Sequence, residues 1–262
     1  MHMVRLDSRG LESLPESLAS ESKLRHLSAY QNALKTLPDW LWSLTNLRTL
    51  NVSANQLTTL SEHIGQLVNL HMLDIAHNRL TTLPQSIGSL QSLTGFLYLS
   101  DNLLETLPES ITQLTALRYL NVADNHLKAL PESIGQMTSL VELRAYRNPL
   151  AHLPESIGAL VNLRELHLND TPLETLPESL GQMHNLRILS LRGSTVKTLP
   201  STVEGLVHLR HLDLRATLIS DLPEAISTLP NLEKLDLRWT HHLPTLPEWT
   251  EALEARGCII YS

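Results

Sequence analysis

Thirteen histidines and a single cysteine are the side chains of this 262-residue chain that best suit metal or nucleophilic chemistry. Their spacing does not assemble a site. His241 and His242 are adjacent, so their side chains diverge, while His26, His167 and His211 stand on separate predicted strands, too far apart for one ion. The sequence has no phosphate-binding glycine loop, no H-E-x-x-H and no C-x-x-C. It therefore predicts no catalytic residue, no metal site and no cofactor.

A 23-residue repeat organises the chain. The pattern L-x-x-L-x-L-x-x-N-x-L occurs ten times, and a partial copy precedes the first. Ten copies at a near-constant interval predict one supersecondary unit that stacks upon itself. Every interval is 23 residues except one of 24, between the fourth and fifth copies. The copies begin at Leu24, Leu47, Leu70, Leu93, Leu117, Leu140, Leu163, Leu186, Leu209 and Leu232.

Each copy predicts a short strand, a turn and a short helical segment. In "LRELHLND", residues 163–170, apolar and polar side chains alternate, which is typical of a strand with one buried face. A proline then opens "LPESIGQM" or a relative of it, where its restricted φ favours a helical or 3₁₀ turn. The glycine that follows is predicted to let the chain turn back toward the next strand.

The asparagine of each repeat is predicted to satisfy backbone groups of neighbouring turns, because its amide both donates and accepts. In the last four copies a hydroxyl with a shorter reach takes this place. The asparagines are Asn32, Asn55, Asn78, Asn102, Asn125 and Asn148, and the hydroxyl residues are Thr171, Ser194, Thr217 and Thr240.

These motifs resemble the leucine-rich repeat family over nearly the whole chain. The resemblance implies an α/β solenoid, a right-handed horseshoe with a parallel concave β-sheet and short helical or 3₁₀ segments on the convex side. We expect one domain: residues 1–23 as a partial repeat and cap, 24–246 as ten repeats, and 247–262 as a capping helix and strand. The helix is predicted over 247–256, with Gly257 as its left-handed stop and Cys258 buried rather than reactive.

The "LPESIGxLxNLxxLxL" form is similar to bacterial repeat proteins and to intracellular Ras-associated ones. The closing segment, "LEKLDLRWTHHLPTLPEWTEALEARGCIIYS", resembles the last unit of repeat domains in type III secreted effectors of plant-pathogenic bacteria. In some of those effectors the repeats select substrates for an attached ubiquitin-ligase domain. No such catalytic domain is expected within these 262 residues.

Variable strand residues are predicted to project from the concave face, and one cluster of them combines aromatic side chains with arginines. These residue types are enriched at protein interface hot spots, and aromatic residues make up only 4% of this chain. The alternative is that strands favour aromatic residues in any case. The predicted partner-binding residues are Met72, Phe96, Tyr98, Tyr119, Arg144, Tyr146 and Arg147.

A ladder of arginines is the second predicted partner site. Guanidinium groups can bind an acidic peptide or a phosphate in a bidentate manner. The alternative is that Asp213 and Asp236 pair with the arginines and leave a neutral, solvated network. The predicted members of this second site are Arg192, Arg215, Arg238 and Trp239.

The copy "SLTGFLYLSDN", residues 92–102, is one residue longer than its neighbours and holds the only Phe of the chain. Thr94, Gly95 and Phe96 separate its first two leucines, where other copies have two residues. A bulge just before or inside this strand, eased by Gly95, would turn Phe96 toward the concave face. The alternative is a slip absorbed in the loop. A Phe96 ring buried between repeats would contradict the first interpretation.

The sequence thus predicts a monomeric, non-enzymatic scaffold that binds a protein partner on its concave face. The alternative is the substrate-recognition domain of a bacterial effector ubiquitin ligase. The formal charge of -7 argues against general nucleic-acid binding, and no apolar run is long enough to cross a membrane. The start "MHMVRLDSRG" has no apolar signal region, so a cytoplasmic location is predicted, with secretion into a host cell as the alternative.

Overall fold

The chain divides into two compact units, residues 1–127 and 128–262, each built from the same repeat. The computed structural model describes residues 3–262. Met1 and His2, which the sequence assigns to the N-terminal partial repeat, lie outside the described residues. The single-domain interpretation stays a prediction, and the two units are called unit 1 and unit 2 below.

Every repeat contributes one strand of three residues. Within each unit, neighbouring strands are parallel and follow chain order, and equivalent positions of successive repeats face each other. Unit 1 contains β1 Met3–Arg5, β2 His26–Ser28, β3 Thr49–Asn51, β4 Met72–Asp74, β5 Phe96–Tyr98 and β6 Tyr119–Asn121. Unit 2 contains β7 Glu142–Arg144, β8 Glu165–His167, β9 Ile188–Ser190, β10 His211–Asp213, β11 Lys234–Asp236 and β12 Ile259–Tyr261.

Leucine builds the core because the alternating pattern places one strand residue inside and its two neighbours outside. The middle residue of each strand from β2 to β11 is a leucine with at most 1% of its surface exposed, as at Leu73 and Leu166. The side chains of the first and third residues of each strand point away from the leucine core. Together with the residue two positions beyond the strand, they form what we call the strand face. The predicted α/β solenoid of parallel strands is confirmed in each unit.

A short 3₁₀ helix follows most strands, and a proline precedes eight of the ten in the described chain. The carbonyl of that proline accepts the first i+3 hydrogen bond, as in Leu41 N to Pro38 O at 3.0 Å. Ser61 replaces proline once and adds a bond from His63 N to its own Oγ. The helices are Glu16–Ser20, Asp39–Ser43, Glu62–Gln66, Gln85–Ser89, Glu109–Gln113, Ile134–Gln136, Glu155–Ala159, Glu178–Gln182, Ser201–Gly205 and Glu224–Thr228.

The glycine inside these helices serves close packing, and the expectation that it turns the chain back is wrong. Gly158 lies within a 3₁₀ helix and its φ is not positive. A Cβ added there would lie 2.3 Å from the backbone oxygen of Ser179 in the next repeat. Glycine is therefore needed because successive 3₁₀ helices approach each other too closely for a side chain.

The asparagine ladder ties each repeat to the one before it. Asn78 Oδ1 accepts from Leu57 N at 2.9 Å, and its Nδ2 donates to Val52 O and to Ile75 O, both at 3.1 Å. In unit 2 the shorter hydroxyl of Thr217 reaches only Leu214 O of its own repeat. Asparagine therefore joins repeats through side chain to backbone bonds, and threonine does not.

The C-terminal end of unit 2 carries the one α-helix of the described chain, α1, Thr250–Ala255. It begins three residues later than predicted, because Pro247 supplies only a carbonyl to the first turn, which Thr250 N contacts at 3.0 Å. Gly257, with φ +93°, ends it as predicted, and Cys258 N donates back to Leu253 O. Cys258 is 5% exposed, and burial raises the pKa of its thiol. Across residues 3–262, no helix has the length and apolar character needed to cross a membrane.

Candidate functional site

Three aromatic rings from the two central strands of the predicted cluster meet on the strand face of unit 1. Phe96 and Tyr98 stack with ring centroids 5.8 Å apart, and Tyr119 tilts against them at 5.5 and 5.1 Å. Met72 stands beside Phe96, its partner in the β4–β5 pairing. We call these four residues, Met72, Phe96, Tyr98 and Tyr119, the aromatic patch.

The Phe96 ring is not buried between repeats, since 47% of the residue is exposed to solvent. Tyr98, Tyr119 and Met72 are partly exposed around it. Offset and tilted rings at these separations attract each other beyond the apolar area that they cover. The patch therefore presents a preformed aromatic surface, which is the kind of surface that anchors protein interfaces.

The extra residue of the fourth full repeat lies in the turn before β5, so the predicted bulge does not interrupt the strand. The pairings Met72 with Phe96 and Phe96 with Tyr119 continue without a break. Thr94 N bonds to Ser92 O in a tight turn, and Gly95 N bonds to the carbonyl of His71. A Cβ on residue 95 would lie 2.9 Å from that carbonyl, so glycine permits the approach. The extra residue is accommodated ahead of the strand, and Phe96 is the first residue of β5.

The other three residues of the predicted cluster belong to unit 2. Arg144 Nε donates to Glu142 Oε1 two residues earlier on β7. Arg147 has a positive φ of 50°, and its Nε lies 3.7 Å from Asp170 Oδ2, with both side chains at least half exposed. Tyr146 is partly exposed. The seven predicted residues thus divide four and three between the units, and both arginines already have acidic neighbours.

Two glutamates and a histidine come together on the strand face of unit 2, a grouping that the sequence analysis missed. Glu142 and Glu165 are direct partners in the β7–β8 pairing, and His167 follows Glu165 on the same face. Donor atoms of Glu142, Glu165 and His167 all lie within 4.8 Å of one another. The sequence spacing could have revealed this grouping. Residues 23 positions apart are partners on neighbouring strands, and residues two positions apart on one strand share a face.

The arginine ladder exists, but two of its three guanidinium groups are neutralised. Arg215 Nε donates to Asp213 Oδ1 at 2.8 Å, and Arg238 binds both oxygens of Asp236 at 2.8 and 2.7 Å. The side chain of Arg192 is exposed and makes no hydrogen bond or ion pair within residues 3–262. The predicted alternative of internal pairing therefore describes Arg215 and Arg238.

Asp236 is the electrostatic centre of this ladder, because its side chain is only 1% exposed. Lys234 Nζ lies 3.4 Å and Arg215 Nε 3.6 Å from its Oδ2. Burial alone would raise the pKa of Asp236, but hydrogen bonds from Arg238 and the neighbouring positive charges outweigh burial and lower it. Asp236 therefore stays ionised and holds its cations in place.

Trp239 adds an exposed aromatic side chain at the end of the ladder. It is 56% exposed, and the Arg238 guanidinium lies 5.5 Å from its ring centroid and 5.0 Å from that of Tyr261. An open groove of about 420 Å³ runs beside Trp239, between Leu243 and the terminal residue Ser262. Cation–π contacts of this kind orient the guanidinium without consuming all of its hydrogen-bond donors.

Four family models describe leucine-rich repeats and match successive parts of the chain. "Leucine-rich repeat region" matches residues 59–152, and "Leucine Rich repeats (2 copies)" matches 22–65. "Leucine Rich Repeat" matches 162–183, and "Leucine rich repeat" matches 185–241. Between residues 22 and 241 only 153–161 and 184 are unmatched. This is a leucine-rich repeat protein.

Solved structures of other leucine-rich repeat proteins share its fold. YopM, an effector protein from Yersinia pestis, is 28% identical, with a TM-score of 0.73 over 91% of this chain and 60% of that one. The ectodomain of the plant receptor kinase GASSHO1/SCHENGEN3 from Arabidopsis thaliana is 33% identical, with a TM-score of 0.73 over 86% of this chain and 28% of that one.

The protein LIC12759 from Leptospira interrogans is 27% identical, with a TM-score of 0.51 over 100% of this chain and 84% of that one. The leucine-rich repeat protein therefore spans most of the Leptospira chain but less than two thirds of YopM and of the plant ectodomain. Among curated proteins, no sequence match was found. The similarity to YopM agrees with the effector resemblance of the closing segment.

Proposed function

We propose that this leucine-rich repeat protein is a non-enzymatic scaffold that binds a protein partner on its strand face. The observation that carries the proposal is the aromatic patch. It gathers the only Phe of the chain and two of its five Tyr on adjacent strands, with Phe96 nearly half exposed. An exposed aromatic surface of this kind gains free energy when a partner covers it.

The backbone beneath the patch supports the same function. Leu97 and Leu120, the middle residues of β5 and β6, are fully buried, and the strand pairing is continuous through Phe96 and Tyr119. Side chains on such strands lose little further freedom when a partner binds, which lowers the entropic cost of association. In unit 2, Arg144, Tyr146 and Arg147 are proposed as additional contacts, and the ladder of Arg192, Arg215, Arg238 and Trp239 as a secondary site.

Similar proteins bind polypeptide ligands through this fold. The GASSHO1/SCHENGEN3 ectodomain was crystallised in complex with CASPARIAN STRIP INTEGRITY FACTOR 2. Since this chain spans 28% of that ectodomain, we carry over only the class of ligand, a protein or peptide. We further propose that the protein acts as a monomer in the cytoplasm, with delivery into a host cell as the alternative location.

The test is a comparative capture from lysate followed by a binding titration with the purified partner. A Phe96→Ser/Tyr98→Ser variant removes two rings of the aromatic patch. Tyr30→Ser is the matched control, because Tyr30 is 41% exposed in unit 1 yet has no aromatic neighbour among the described residues. Circular dichroism must first show that all three proteins are folded.

We expect a partner that the wild type and Tyr30→Ser retain and the double variant loses, with an affinity about 10- to 100-fold weaker in titration. A separate Arg144→Glu/Tyr146→Ala variant measures the contribution of unit 2. Identical sets of retained proteins for wild type and both site variants would refute the proposed sites.

The second candidate is a substrate-recognition domain that acts with a bacterial effector ubiquitin ligase. The similarity to YopM and the closing segment of the sequence favour it. Reading the gene beyond the codon for Ser262 and the genes beside it is the direct test. A ligase domain in either place would support this candidate, and a capture experiment in which the partner becomes ubiquitinated would establish it.

A further inference from the structure

We propose that Glu142, Glu165 and His167 on the strand face of unit 2 bind a first-row divalent metal ion, with Zn²⁺ as the best match. Each residue offers one donor atom, and the three atoms lie within 4.8 Å of one another. Two carboxylate oxygens and one imidazole nitrogen form a mixed oxygen and nitrogen donor set that suits zinc. The inference does not depend on the identity of the protein partner.

The backbone brings the three donors together without strain. Glu142 and Glu165 are opposite each other on parallel strands, and His167 is two residues further along β8, so all three side chains leave the same face. Their side chains are 19%, 36% and 19% exposed. The site is half-buried, which holds the side chains in place, and it remains open to water for the rest of the coordination sphere.

The distances are close to those that a bound ion requires. His167 Nε2 lies 3.1 Å from Glu165 Oε2 and 4.0 Å from Glu142 Oε1. In a tetrahedral zinc site with bonds of about 2.0–2.2 Å, neighbouring donor atoms are about 3.3–3.6 Å apart. Small side-chain rotations would therefore place all three donors around one ion.

Charge also favours a cation at this position. The Glu142 and Glu165 carboxylates stand directly opposite each other on neighbouring strands, an arrangement in which like charges repel. Arg144 donates to Glu142 and offsets one of these charges. In the arginine ladder, by contrast, three cations surround Asp236. A divalent ion between the two glutamates would remove the repulsion.

Arg144 is the natural competitor of the metal, because its Nε occupies the Oε1 atom of Glu142 that faces His167. The proposal therefore predicts opposite effects for two kinds of variant. Removing a ligand, as in Glu165→Gln or His167→Gln, weakens zinc binding. Removing the competing charge in Arg144→Met strengthens it by about tenfold, since a positive charge within about 4 Å of the ion is lost.

The experiment titrates the full chain with ZnCl₂ at pH 7.5 against a chromophoric chelator, and follows each variant by circular dichroism for folding. His211→Gln is the matched control, because His211 Nε2 also faces a carboxylate, Glu233 Oε2 at 3.7 Å, but lacks a second one among the described residues. A further control, His241→Gln/His242→Gln, removes the adjacent pair.

We expect one zinc ion per chain in the wild type and in both control variants, with affinity at least about tenfold lower in Glu165→Gln and His167→Gln. Substituting Co²⁺ should give visible absorption bands that disappear in His167→Gln. Absence of zinc binding to the wild type would overturn the proposal. So would binding that survives in His167→Gln, or that is lost equally in a control variant.

Discussion

The asparagine ladder predicts that substitutions in adjacent repeats are not additive. Asn55 Nδ2 donates to Val52 O at 3.0 Å, and Asn78 Nδ2 donates to the same oxygen at 3.1 Å. Either amide alone keeps this buried carbonyl satisfied. In Asn55→Ala/Asn78→Ala, however, Val52 O has no remaining donor among the described residues. The double variant should therefore lose more stability than the sum of the two single ones.

The magnitude follows from counting the groups that each change leaves unpaired. Asn78→Ala orphans the buried N–H of Leu57, which costs about 1–3 kcal/mol, and gives up bonds to carbonyls that keep another donor. We expect a total loss of about 2–4 kcal/mol in the free energy of unfolding. Asn55→Ala orphans Leu34 N in the same way. The orphaned Val52 carbonyl then adds a coupling free energy of about 1 kcal/mol or more.

The assay is urea unfolding of wild type, both single variants and the double variant, followed by circular dichroism, with midpoints and slopes fitted together. Asn32→Ala/Asn78→Ala is the control pair, because Asn32 and Asn78 share no carbonyl and their effects should add within about 0.5 kcal/mol. Equal coupling in the two pairs, or a coupling near zero in the adjacent pair, would refute the shared-acceptor reasoning.

Three further predictions concern stability. Burial raises the pKa of Asp74, so Asp74→Asn should raise the free energy of unfolding at pH 7. Urea titrations should show this gain vanish as the pH falls toward 3.8. The pKa of Asp236 is lowered despite its burial because Arg238 donates hydrogen bonds to it. Asp236→Asn should therefore lower the free energy of unfolding by about 2 kcal/mol at pH 7, and this loss should shrink as the pH falls below 3.8. An unchanged loss at low pH in urea unfolding would contradict this prediction. Gly158→Ala should lower the melting temperature clearly more than Gly65→Ala. The reason is that an added Cβ would lie 2.3 Å from a backbone oxygen of the next repeat in the first case and 3.0 Å in the second. Equal melting temperatures would show that the packing relaxes around the added methyl group.

Much of the fold was predictable because each repeat meets the same neighbours. A residue of one repeat pairs with the residue 23 positions later, as Thr49 pairs with Met72. The repeat length in the sequence therefore predicts directly which residues of neighbouring repeats are in contact. The leucine rows, the asparagine ladder and the left-handed stop at Gly257 follow from such local rules. The start of α1 at Thr250 rather than at Pro247 did not, since Pro247 contributes only its carbonyl to the first turn and lies outside the helix.

For the candidate sites, the sequence predicted only which exposed residues occupy equivalent positions on neighbouring strands. The sequence placed Phe96, Tyr98 and Tyr119 on adjacent strands, and the structure adds that their rings touch. The sequence did not show where the extra residue lies. The close approach of Gly95 to His71 O places it in the turn before β5. The sequence shows that this repeat has one extra residue, but the backbone hydrogen bonds decide where that residue is accommodated.

By itself, the sequence determined the repeat, the parallel strands, the leucine core and the set of side chains on the strand face, since these depend on spacing along the chain. Only the tertiary structure decided which of those side chains act together. The pairing of Arg238 with Asp236, and that of Glu142 and Glu165 with His167, depend on side-chain rotamers and on distances of 2.8 to 4.0 Å. Differences of about 1 Å separate an ion pair, a metal site and a solvated charge, and no spacing in the sequence resolves them.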